Sequence, residues 1–109
     1  MRITSDLLKA KKACRDKQDE FQTRYPSGVE YQELLNYLAE HNRPSDAQWL
    51  FQNIGPDKEA VLTVSEPVTT RHLFAAGQLI LKIGISVIGS IQAGWGIKAG
   101  WGIKAGGGI

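Results

Sequence analysis

The chain has 109 residues, of which 42% are hydrophobic, and its formal net charge of +2 is too small to indicate a strongly basic or acidic partner. A single cysteine excludes an intrachain disulfide, and no cluster of Lys and Arg alternates with aromatic residues, so the sequence disfavours nucleic-acid binding. The first residues lead into charged sequence without an apolar signal core, which favours a cytoplasmic protein.

The first helix is predicted to begin at Thr4 or Ser5, either of which can cap it, and to end by Tyr25 because Pro26 follows. An interruption near Cys14–Asp16 is an open alternative, since Asp16 could cap a second short helix. Cys14 follows an alanine on the apolar side and is expected to be a small buried residue.

Two further amphipathic helices are predicted before residue 57. The first carries apolar residues at helical spacing, ends near His41 before Pro44, and is followed by a helix that Ser45 caps. The apolar positions are Tyr31, Leu34, Leu35 and Leu38 in the first, and Ala47, Leu50, Phe51 and Ile54 in the second. Residues 1–56 therefore read as a short helical bundle, which at this size needs a further surface to pack against.

The opening residues carry a resemblance. A Leu7-Leu8 pair, Ala13-Cys14, Gln18, Phe21 and the run from Tyr25 to Gly28 resemble the first segment of small uncharacterised phage and prophage proteins, in which a short helical head precedes repeats. The resemblance implies a mobile-element origin and brings no catalytic residue to this chain.

From residue 61 onwards the sequence has a period of six. Aliphatic residues recur every six positions, and the last three units read Ile-Gln-Ala-Gly-Trp-Gly, Ile-Lys-Ala-Gly-Trp-Gly and Ile-Lys-Ala-Gly-Gly-Gly. The recurring residues are Leu73, Leu79, Ile85, Ile91, Ile97, Ile103 and Ile109. The tract resembles a hexapeptide-repeat β-solenoid, so the expected fold class is α+β: a helical head at 1–56, a linker at 57–60 and a β-solenoid at 61–109.

Three hexads per coil is the preferred arrangement, because every resulting stack is apolar and because one hexad per rung would set the like charges of Lys98 and Lys104 directly opposite each other. The first and third positions of each hexad are expected to face inward and the second outward. The predicted stacks are Val61 with Leu79 and Ile97, Pro67 with Ile85 and Ile103, and Leu73 with Ile91 and Ile109.

A membrane-spanning helix over residues 73–97 is the main alternative, because Lys82 is the only charged residue there. The glycine content and the β-branched residues favour strands instead.

The sequence offers no candidate for catalysis. Gly94 to Ala99 and Gly100 to Ala105 both satisfy a loose dinucleotide-binding pattern, but no helix-forming sequence follows either of them. His41 and His72 lack partners at metal-ligand spacing and are expected at the surface or at helix caps. We therefore expect no enzyme activity, no cofactor and no metal.

Two classes of function remain. The first is a non-enzymatic, self-assembling protein: the sequence stops inside a repeat at Ile109, and a homo-oligomer would form through this edge. The expected interaction residues are Trp95, Trp101, Ile103, Ala105 and Ile109. The second follows from the phage-like resemblance: a small inhibitor, similar in role to anti-CRISPR proteins, that binds a host defence complex.

Overall fold

The computed structural model describes residues 1–66, 71–99 and 103–105. The described part has an α+β fold with four helices, so only the α+β part of the predicted fold class is confirmed. The helices are α1 (Ser5–Ala10), α2 (Arg15–Arg24), α3 (Tyr31–Glu40) and α4 (Pro44–Asn53). The strands are β1 (Arg2–Ile3), β2 (Val29–Glu30), β3 (Val61–Val64), β4 (Leu73–Ala75), β5 (Gln78–Leu81), β6 (Ile85–Val87), β7 (Ile91–Ala93), β8 (Gly96–Ala99) and β9 (Ile103–Ala105).

The first predicted helix is interrupted. Thr4 caps α1, where its hydroxyl accepts a hydrogen bond from the Leu7 amide at 3.2 Å. The helix then ends, because Lys12 takes the left-handed conformation with φ of 61°, and α2 begins at Arg15. The interruption turns Cys14 outward, so the prediction that Cys14 is buried is wrong.

Two short strands complete the first half of the head. β1 and β2 pair antiparallel, and the facing residues Ile3 and Val29 are both buried. The head is therefore more than the predicted bundle of helices. Gly28 reaches β2 with φ of +86°, and a Cβ there would press on the Ile3 carbonyl oxygen, so glycine is required at this turn.

The other two helices follow the predicted periodicity. Tyr31, Leu34, Leu35 and Leu38 are all buried on one face of α3. Pro44 occupies the first turn of α4, so this helix begins one residue before the predicted cap at Ser45.

In the described residues from 61 onwards, the strands form small parallel sheets. One sheet has the order β3-β5-β8, and two-stranded sheets join β4 to β7 and β6 to β9. The prediction of a hexapeptide-repeat β-solenoid running through residues 61–109 is wrong in this respect: separate short sheets replace one regular tract, and the hexad frame fails at its first strand.

The register shows where the frame fails. Leu73 pairs with Ile91 and Ile85 with Ile103, as the three-hexad spacing predicted. At β3, however, Leu62 and not Val61 faces Leu79. Val61 is 55% exposed and lies outside the core.

A turn before β3 explains this shift. The Ala60 amide donates to the Asp57 carbonyl at 3.1 Å, and the Ala60 carbonyl accepts from the Gln78 amide at 3.0 Å. These bonds fix Ala60 opposite the start of β5, so the next residues enter the sheet one position out of the sixfold frame. Pro67 and Ile109, the remaining members of the predicted stacks, lie outside the described residues.

Strand β4 joins the two halves of the protein. All three of its residues are buried, including Phe74, which the hexad pattern placed outward. Phe74 and Ala76 belong to the hydrophobic core of the helices, while Leu73 and Ala75 belong to a second core with Leu79 and the following strands. The strand is therefore covered on both faces, whereas β6 keeps the predicted alternation with Ser86 exposed.

The stretch that the alternative hypothesis assigned to a membrane-spanning helix forms strands β4 to β8. Among the described residues, no helix has the length and apolar character needed to cross a membrane. The predicted boundary at residues 57–60 stays a prediction.

Candidate protein-binding groove

An open apolar groove runs between α2 and the pair α3–α4. Its volume is about 210 Å³. The lining is mostly aromatic and aliphatic, with charged side chains at the rim. The principal apolar lining residues are Phe21, Tyr25, Tyr37, Trp49, Leu34 and Leu50.

The composition of α2 accounts for the groove. Phe21 is its only buried residue, so α2 has too little apolar surface to pack closely along α3 and α4. Aromatic rings bridge the remaining distance: Phe21 lies 5.3 Å from Tyr25, and Tyr25 meets the edge of Tyr37 at 6.4 Å between ring centroids. The helix is thus held across an opening rather than against a filled core.

Ion pairs close one side of the groove. Arg43 donates two hydrogen bonds to Glu20, at 2.7 and 2.9 Å, and a third to Asp46 at 2.7 Å. Lys17 also reaches Asp46, at 3.3 Å. The hydrogen bond from Arg43 lowers the pKa of Glu20, and the bonds to Glu20 and Asp46 raise the pKa of Arg43 despite partial burial. These four side chains satisfy one another.

Arg24 is the remaining charged residue of the lining. Its guanidinium carbon lies 4.0 Å from the centroid of the Tyr37 ring and 5.9 Å from that of Tyr25. This is cation–π geometry. Within the part of the chain that the structure describes, Arg24 forms no ion pair.

His72 forms a second polar centre, between the helices and the strands. It is 5% exposed, so the prediction of a surface or cap position is wrong for His72, while His41 does lie at the end of α3. The Nε2 of His72 lies 2.6 Å from the Asn42 side-chain oxygen, and its Nδ1 accepts a hydrogen bond from the Ser90 amide at 2.9 Å. Both contacts are compatible with the neutral ring, which carries its proton on Nε2.

Stability is expected to fall as pH decreases through the mildly acidic range. Burial, and secondarily the charge of Arg71, lowers the pKa of His72 below its usual 6.5. Below pH 6.5 the unfolded chain binds a proton at this position more readily than the folded chain, so stability present above this pH is lost as pH falls towards the folded-state pKa.

Urea unfolding midpoints measured between pH 7.5 and about 5 test this expectation, because the carboxyl groups with lowered pKa titrate below this window. Glu40 is a carboxylate that lines the small cavity beside His72, and it is present in both the wild type and the variant that are compared. A His72→Gln variant should show a smaller pH dependence than the wild type. An equal dependence in both proteins contradicts the assignment to His72.

None of the three described interaction residues that the sequence predicted, Trp95, Ile103 and Ala105, lines the groove. Trp95 lies in the turn between β7 and β8, is 56% exposed, and has the Lys58 ammonium 4.9 Å from its ring centroid. Ile103 and Ala105 lie in β9, where they pair with Ile85 and Val87. Trp101 and Ile109 lie outside the described residues.

The helical periodicity predicts Leu34 and Leu50 as apolar positions of packed helices. It gives no sign that Trp49 lies half-buried at the wall of a groove. The available signal was the composition of α2, whose ten residues include a single large apolar side chain, Phe21. Within the described ranges, no group of three or more His, Cys, Asp and Glu residues could hold a metal ion.

A known protein family matches the N-terminal residues, which include the groove. Residues 1–54 match the YdhT N-terminal domain. The matched residues contain all four helices, the β1–β2 pair and every residue that lines the groove. The groove thus lies wholly within the residues that match this family model. No curated protein and no solved structure matches the chain.

Proposed function

We propose that this chain is a non-enzymatic interaction protein, and that its YdhT N-terminal domain binds a segment of another protein by receiving an aromatic side chain. The open apolar groove beside α2 is the observation that supports this proposal. Its volume of about 210 Å³ lies below the roughly 300–1,000 Å³ that is usual for small-molecule sites. One large side chain is a better match in size than a cofactor.

The residue types at the groove also favour a protein partner. Tyr, Trp and Arg are the residues that contribute most to protein–protein interfaces, and the lining contains Tyr25, Tyr37, Trp49, Arg24 and Arg43. The charges of Arg43, Glu20 and Asp46 are mutually paired.

A titration of the full chain with N-acetyl-tryptophanamide, followed by NMR, tests the proposal. This neutral probe presents one indole ring with peptide groups on both sides, and we expect saturable shifts of the Trp49 indole signal and of amides in α2, with half-saturation at millimolar concentration or below. N-acetyl-alaninamide, which lacks the ring, is the matched control and should give no saturable shift.

Cys14 provides an independent check, because it is exposed, lines the groove and is the only cysteine of the sequence. Alkylation with the bulky N-phenylmaleimide should abolish the shifts caused by N-acetyl-tryptophanamide, whereas the smaller iodoacetamide should leave most of them. If the probe shifts only signals outside the groove, such as those around Trp95, the proposal is overturned.

Self-association is a second candidate function. Among the described residues, β7, β8 and β9 each pair with another strand on one side only. An unpaired strand edge is a ready template for a second copy. Assembly through Ile103 and Ala105 stays a prediction, as do the phage origin and the alternative of a small inhibitor of a host defence complex.

A further inference from the structure

The charges of the groove lining do not balance. The lining contains three cations, Lys17, Arg24 and Arg43, and two carboxylates, Glu20 and Asp46. Both carboxylates are already bound, by Arg43 and Lys17. One positive charge, that of Arg24, therefore remains available at the groove.

The contact with Tyr37 prepares Arg24 to bind an anion. A guanidinium group over an aromatic ring uses its face for that contact and keeps the N–H donors at its edge free. Those donors match the two oxygens of a carboxylate. The same ring contact holds the arginine beside the apolar lining, so an aromatic group and a carboxylate could be bound together.

We propose that the partner segment carries an acidic residue directly next to its aromatic residue, and that Arg24 binds this carboxylate. The inference rests on the proposed function, because it assumes that the groove receives a protein side chain. Arg24 is exposed, so the attraction is partly screened by solvent. A gain of roughly three- to tenfold in affinity is the size expected for one solvent-accessible charged hydrogen-bonded pair.

Two matched peptides test this inference on the full chain: N-acetyl-Trp-Asp-amide and N-acetyl-Trp-Asn-amide. They differ by one carboxylate, and both bring the indole ring. We expect the Asp peptide to bind roughly three- to tenfold more tightly than the Asn peptide at low salt, with the difference reduced at high salt. The Trp49 indole signal and the α2 amides report binding of both.

Protein variants identify the group that binds the carboxylate. Arg24→Gln should remove the preference for the Asp peptide, so that this variant binds the Asp and Asn peptides with equal affinity. Arg24→Lys should retain part of the preference, because it keeps the charge but loses the planar fork. Arg15→Gln is the matched control, since Arg15 is an exposed arginine of the same helix that does not line the groove.

The outcomes separate the two proposals. If neither peptide shifts the groove signals, the proposed function fails. If both peptides bind equally, or if Arg24→Gln keeps the preference, the proposed function stands and the role of Arg24 is overturned. If the groove signals of the free protein change on dilution, a second copy occupies the groove and the acidic partner segment is rejected.

Discussion

Replacement of Gln32 with methionine is expected to lower the free energy of unfolding by about 3 kcal/mol. The Gln32 side-chain amide donates to the Phe74 carbonyl at 2.7 Å and accepts from the Ala76 amide at 2.9 Å. Both main-chain groups belong to a buried part of the chain. Methionine has similar length and helix propensity, but it leaves these two groups without hydrogen bonds.

Chemical denaturation of the full chain measures this effect, and Gln48→Met is its control. Gln48 is an exposed glutamine in α4, so its replacement should change the free energy of unfolding by no more than about 0.5 kcal/mol. Gln32→Glu gives an intermediate test, because a carboxylate can still accept from Ala76 but cannot donate to Phe74. Equal stability of the Gln32→Met and Gln48→Met variants contradicts the bridging role of Gln32.

Replacement of Gly77 with alanine is expected to destabilise the protein by about 3 kcal/mol. A Cβ at this position would overlap the carbonyl oxygens of Asp57 and Ala60. Both are main-chain atoms of the turn that leads into β3, so a side-chain rotation cannot relieve the overlap. The turn itself must move, and the hydrogen bond from Gln78 to Ala60 is weakened with it.

Thermal unfolding followed by circular dichroism tests this expectation. Ser86→Ala is the control, because Ser86 is exposed on β6 and has room for the change. Should Gly77→Ala unfold at the temperature of the wild type, the close approach of the turn to Gly77 is wrong. A loss of strand signal at a temperature where the helix signal persists would place the damage in the sheets.

The sequence predicts those features of the fold in which a spacing of apolar residues is repeated over many positions. The buried face of α3 follows from the spacing of Tyr31, Leu34, Leu35 and Leu38, and the facing pair Leu73 and Ile91 follows from the sixfold repeat. Strands β1 and β2 have two residues each, which is too short for any period to be visible. Their pairing depends on contacts between distant parts of the chain.

The failure of the hexad frame has a comparable cause. Val61 fits the aliphatic position of the repeat, but hydrogen bonds of the preceding turn decide which residue faces Leu79. Phe74 shows the same limit, since the pattern placed it outward and the helices cover it. Local periodicity specifies alternation along a strand, and tertiary contacts decide which surfaces are covered.

The groove was still harder to predict, because it results from the low number of apolar residues in α2 and from contacts between residues far apart in the sequence. Arg43 and Glu20 are 23 residues apart, and no pattern joins them. The exposure of Cys14 likewise depends on where the first helix ends. A sequence can show that α2 is polar, but it cannot show that the space beside it is left open.

The side-chain amide of Gln32 makes the two edges of the β4–β7 sheet different. Its donor and acceptor bind β4 at Phe74 and Ala76, the two alternate positions that one peptide group of a parallel neighbour would use. Helix α3 thus takes the place of a neighbouring strand, and a new strand could add beside β4 only by displacing that helix. Strands can therefore be added to this sheet on one side only. The edge of β4 is covered by α3, and an incoming strand would pair with β7.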